Sequence, residues 1–77
     1  MPIIQVLGPG CSNCQVLYER TRQAAQDLGL DCVIEKVTDM QAIIGFGILS
    51  TPALVVDGRV KMSGRVPTVA QLKEMLG

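Results

Sequence analysis

The sequence predicts an α/β domain on a four-stranded mixed sheet, with elements in the order β-α-β-α-β-β-α. Three observations carry this expectation. Apolar residues change period along the chain, from short β-rich runs to helical spacing and back. Gly, Pro and Asp punctuate the changes. The dipeptide Asp57-Gly58 stands between two β-rich runs and marks a hairpin. A parallel βαβ unit followed by an antiparallel hairpin requires a mixed sheet with helices packed on it. At 77 residues the chain is expected to form one domain spanning 1–77. A chain of this size buries little more than about 60% of its unfolded surface, so its core is thin.

Each element has a local reason. Ile3 to Leu7 is an apolar run interrupted only by Gln5, as suits a strand buried on both faces. From Ser12 to Leu28, Cys14, Leu17, Tyr18, Thr21, Ala24, Ala25 and Leu28 recur at helical spacing. Glu19, Arg20, Arg22, Gln23, Gln26 and Asp27 take the other face, and Gly29 stops the helix. Asp31 to Val37 is β-rich and reads as the second strand. Asp39 to Phe46 reads as a short helix capped by Thr38 or Asp39, with Met40, Ile43 and Ile44 as its buried stripe. Ala53 to Val56 and Val60 to Met62 flank the hairpin turn, and Gly64 ends the second of these strands. Thr68 and Gln71 form a capping-box pattern that opens a last helix, with Val69, Leu72, Met75 and Leu76 on its apolar side.

Composition excludes several chemistries. The chain has no histidine, so it can build neither a histidine-dependent triad nor a histidine-ligated metal or haem site on its own. Seven basic residues balance seven acidic ones, and only two aromatics are present, which argues against nucleic acid as a partner. No apolar run approaches the roughly 20 residues of a membrane span, so no membrane role is expected. The N-terminal stretch MPIIQVLGPG lacks the pattern of a signal peptide, so a cytoplasmic location is expected, where thiols stay reduced. Three cysteines are too few for a disulfide framework and read as a reactive pair plus one more.

The reactive pair is Cys11-Ser12-Asn13-Cys14, placed between the first strand and the long helix. A CxxC at a helix start brings both sulfurs within disulfide reach after one turn. The first cysteine lies beside unpaired amide N–H groups at the positive end of the helix dipole, and both favour its thiolate. The second sits one turn in, partly shielded. Gly8 and Gly10 are expected to keep the approach to Cys11 open. A bare CxxC can also be half a metal site or two packed thiols; the strand-loop-helix context favours redox chemistry. Thr51-Pro52 directly precedes the third strand. A proline there can simply begin the strand, outside its ladder, or it can be a cis-proline in a tight turn facing the CxxC loop.

CSNC after the first strand, Thr51-Pro52 before the hairpin, Asp57-Gly58 in its turn and Gly64 before the last helix together resemble the thioredoxin fold. More narrowly, STPALVVDGRVKMSGRVPT is similar to the minimal thioredoxin/glutaredoxin-like redox-active disulfide proteins of bacteria and archaea. The resemblance covers nearly the whole chain. It implies a thioredoxin-like sheet with helices on both faces and a thiol–disulfide oxidoreductase acting on protein disulfides, re-reduced by an upstream dithiol. It implies Cys11 as nucleophile, Cys14 as resolving thiol and Pro52 in cis. The backbone of Thr51 would pair with an extended substrate segment, and Gly64 would leave room beside it. Gly10 stands where thioredoxins carry Trp, and Ser12-Asn13 where they carry Gly-Pro. Ile3 to Leu7 holds no acid where they bury an Asp. Thiolate activation is therefore expected to rest on the helix N-terminus and backbone amides, with water handling the proton of Cys14. No cofactor is expected beyond the Cys11–Cys14 disulfide, no metal site, and a monomer rather than a dimer.

The remaining residues have plainer readings. Cys32, in the second strand among Val33 and Ile34, reads as a buried core thiol. Tyr18 packs, Arg20 and Arg22 are solvated charges with Arg22 placed to meet Glu19, and Met40, Met62 and Met75 fill core stripes. Phe46, Ile48 and Leu49 either cover the sheet or rim the thiol site. A different class of function is a small Cu(I) carrier using the same CxxC. Ferredoxin-like copper carriers run β-α-β-β-α-β and usually have Met two residues before the first cysteine, where Pro9 stands here. A third reading is a non-catalytic interaction domain whose disulfide only stabilises a loop.

Overall fold

The computed structural model describes residues 2–77. Its elements are β1 (Ile3–Leu7), α1 (Ser12–Leu28), β2 (Val33–Val37), α2 (Met40–Gly45), β3 (Ala53–Val56), β4 (Arg59–Ser63) and α3 (Val69–Leu76). The order is the expected one. The four strands form one sheet in the spatial order β2-β1-β3-β4. β1 runs parallel to β2 and antiparallel to β3, and β3 runs antiparallel to β4. The sheet is mixed because a helix-bridged crossover joins β1 to β2, whereas a tight turn joins β3 to β4.

Strand alternation decides which helix covers which face. Ile4 and Val6 of β1, Leu54 of β3 and Met62 of β4 pack with Leu17 and Ala24 of α1 and Leu72 of α3. The intervening positions Leu7, Ala53 and Val55 pack with Ile43 of α2 and Ile48. Helices α1 and α3 therefore share one face, and α2 covers the other. Ile4, Leu17, Leu54 and Leu72 are fully buried; each contributes roughly 1.5–3 kcal/mol relative to exposure. Thr21, a buried polar residue on α1, donates its hydroxyl to the Leu17 carbonyl at 2.7 Å.

Caps and turns close the elements. Asp57 and Gly58 both have positive φ, 51° and 81°, the geometry of a type I′ turn. The Thr68 hydroxyl accepts from Gln71 N at 3.2 Å, and Gln71 Oε1 accepts from Thr68 N at 3.0 Å. Asp39 caps α2 by accepting from Gln41 N at 3.3 Å.

Several boundaries and faces differ from the sequence expectation. β2 begins at Val33 rather than Asp31, because the ladder with β1 starts at Ile3 opposite Val33. β4 extends from Arg59 to Ser63, one residue beyond Val60–Met62 at each end, because Arg59 pairs with Val56 and Ser63 with Ala53. The short helix α2 buries Ile43 alone. Met40 and Ile44 are 49% and 65% exposed, since six residues of helix present only one side chain squarely to the sheet. Arg20 is half-buried rather than solvated: its guanidinium donates to the Pro67 carbonyl at 3.0 Å and ties α1 to the loop before α3. Arg22 meets Glu19 at 3.7 Å as expected, in an exposed pair of little energetic weight.

Candidate active site

The site lies where β1 hands over to α1. Gly10 has φ 94°, a backbone conformation that a side chain would strain, and it turns the chain into the helix. Cys11 follows as the N-cap of α1, with extended backbone (φ −68°, ψ 167°). Its sulfur occupies the position normally taken by a capping oxygen and accepts from Cys14 N at 3.3 Å. No acidic residue stands in the first turn to oppose negative charge there. The Cys11 sulfur thus lies at the positive end of the helix, where negative charge is favoured.

Cys11 and Cys14 are joined in a disulfide with Cα atoms 5.1 Å apart. The two sulfurs have different surroundings. Cys11 is exposed, whereas Cys14 is buried at 6% exposure. Cys14 also lines an apolar cavity of about 150 Å³ together with Gly8, Lys36 and Thr38.

The β1–β3 register assembles the rest of the site. Leu7 stands opposite Ala53, so the next residues along, Gly8 and Pro52, face each other beyond the ladder. The Thr51–Pro52 peptide bond is cis. Pro52 is buried, Thr51 is half-buried, and the Pro52 carbonyl accepts from Gly64 N at 2.9 Å. A Cβ on Gly64 would approach Ser50 Cβ to 3.0 Å, and its φ of 77° favours glycine as well. Cys14, Pro52 and Gly64 thus meet at one end of the sheet, with Gly10 and Cys11 at its exposed rim.

Two residues behave differently from their sequence readings, and one segment divides between the two readings it was given. Gly8 does not open the approach to Cys11; it is buried beneath Cys14, and its N–H donates to the Val37 carbonyl at 2.9 Å. Cys32 is a half-buried free thiol just before β2, not a fully buried one. It packs against the α1 side of the core and opens onto a shallow surface cleft with Gln26 and Leu30. Leu49 is fully exposed while Ile48 is buried and Phe46 half-buried, so the segment splits between covering the sheet and facing solvent. Lys36 was not singled out by sequence reasoning. It lies beside the Cys14 cavity and carries its ammonium 4.4 Å from the centre of the Tyr18 ring. Period-two alternation from Ile34 would have placed it on the α1 side of β2. Among the described residues no group of three or more Cys, Asp or Glu could hold a metal ion, and no helix is long and apolar enough to cross a membrane.

Residues 3–77 match the family model described as a thioredoxin domain. A protein named thioredoxin from Methanothermobacter thermautotrophicus is 41% identical over 73 residues, which cover 95% of each chain. Another protein of that name, from Methanocaldococcus jannaschii, is 36% identical over 76 residues, or 99% of this chain and 87% of the relative.

Proposed function

The chain belongs to the thioredoxin family and is a thiol–disulfide oxidoreductase, and from that premise we propose that exchange runs through Cys11 as nucleophile and Cys14 as resolving thiol, on disulfides of protein substrates. The observation that carries this assignment is the asymmetry of the pair. Cys11 is exposed and caps the helix, while Cys14 is buried one turn in.

The steps follow from that asymmetry. The Cys11 thiolate attacks one sulfur of a substrate disulfide, forms a mixed disulfide and releases the other substrate sulfur as a thiolate. Cys14 then loses its proton and attacks the Cys11 sulfur. The second substrate thiol leaves, and the Cys11–Cys14 disulfide remains. An upstream dithiol returns two electrons and two protons, and no cofactor beyond the disulfide takes part. Water carries the resolving proton, since the chain has no imidazole. The backbone of Thr51 pairs with an extended substrate segment, Pro52 and Gly64 shape the floor beneath it, and Gly10 leaves the rim beside Cys11 free of side chain. The protein works as a monomer in a reducing, cytosolic compartment. The element order, which places a helix between β2 and β3, supports exchange over copper carriage.

The test is alkylation of the fully reduced protein across a pH series, read separately for each cysteine. Cys11 is expected to react fastest, with a midpoint below the value of about 8.5 for a free thiol. A Cys11 that reacts no faster than a free thiol at neutral pH, or a Cys14 that reacts first, would overturn the assignment. Competition for Cu(I) on the same sample checks the carrier reading.

A further inference from the structure

Gly8 belongs neither to the CxxC motif nor to the substrate-facing loop, yet it has the tightest environment of any glycine near the site. A Cβ built on it would overlap the Cys14 sulfur outright and come within 3.0 Å of Cys14 Cβ. It would also lie 3.9 Å from Pro52 Cα. Relief by a backbone shift is blocked on two sides. The Gly8 N–H is bonded to the Val37 carbonyl, and the preceding residue Leu7 is fully buried and paired with Ala53 and Val37. The backbone of Gly8 thus forms the seat on which the buried sulfur rests.

We propose that Gly8 is a positioning residue that holds Cys14 in its disulfide-forming rotamer and thereby sets the balance between disulfide and dithiol. This rests on Cys11–Cys14 being the exchanging couple. In the disulfide the Cys14 sulfur is tied to Cys11 and cannot leave the seat. In the dithiol it is free to turn about χ1 to the other rotamer that a helix allows. Any atom added at residue 8 therefore penalises the oxidised form more than the reduced form.

The test is redox equilibration of the wild type and of Gly8→Ala with glutathione. The reaction converts the Cys11–Cys14 disulfide and two glutathione thiols into the dithiol and one glutathione disulfide, with two electrons and two protons transferred. Gly8→Ala is expected to move the equilibrium at least tenfold toward the dithiol, equivalent to about 30 mV for a two-electron couple. An unchanged or opposite equilibrium, with oxidised and reduced forms losing the same Tm, would overturn the proposal and leave Gly8 a packing residue. A wild type that does not equilibrate with glutathione at all would instead refute the couple itself. Should Gly8→Ala fail to fold, the same substitution is made in a Cys14→Ala background, where the sulfur is absent. Recovery of the fold there supports the seat, and continued failure refutes it.

Discussion

At the scale of single residues, function turns on unequal treatment of chemically equal groups. Three cysteines stand in the chain, and their surroundings assign them different work. Cys11 is exposed at a helix cap, Cys14 is buried beneath the turn, and Cys32 is a half-buried thiol beside the core. Cys32 is a free thiol and sits outside the junction of β1, α1 and the Pro52 loop, away from the Cys11–Cys14 pair. Cys32→Ala is therefore expected to leave the rate of insulin-disulfide reduction within about twofold of the wild type; a large loss with the fold intact would give Cys32 a redox role. The CxxC pair was legible in the sequence because its meaning depends on local spacing and on the helix it starts. The role of Gly8 was not, because a glycine before Pro-Gly reads as a residue that keeps the approach to Cys11 open. Its importance arises from a contact with Cys14 that only the completed turn creates.

At the scale of elements, short-range patterns were readable and long-range faces were not. The Thr68–Gln71 capping box and the Asp57-Gly58 turn are chemistry within four residues, and both form as their sequences suggest. The stripe assigned to α2 failed at Met40 and Ile44 because a six-residue helix lies too short against the sheet to bury more than Ile43. Helix α3 tests the weight of a cap directly. It has only eight residues, and helices this short are marginal without packing and capping. Thr68→Ala removes the hydroxyl that satisfies Gln71 N and is expected to cost about 1 kcal/mol in urea unfolding, with m unchanged. An effect near zero would mean that docking of Leu72 and the Arg20 bond to Pro67 hold α3 without help from its cap.

At the scale of the whole molecule, element order was legible because apolar period and turn residues report it directly. The division of the core was not written in any one segment. It follows from register: even-numbered positions of β1 and β3 face α1 and α3, and the odd-numbered Leu7, Ala53 and Val55 face α2. The same register sets Gly8 opposite Pro52 and so brings the CxxC turn and the cis peptide to one end of the sheet. A chain of 77 residues with no histidine has thereby brought an exposed helix-capping cysteine, a buried second cysteine and a cis-proline turn to one end of its sheet. The most direct test is turnover by this chain alone: reduction of insulin by dithiothreitol, followed with the wild type, Cys11→Ser and Cys14→Ser. Catalysis proportional to wild-type concentration, lost in Cys11→Ser and replaced by an accumulating mixed disulfide in Cys14→Ser, is the predicted result. A wild type no faster than dithiothreitol alone, or a Cys11→Ser variant that still turns over, would contradict it.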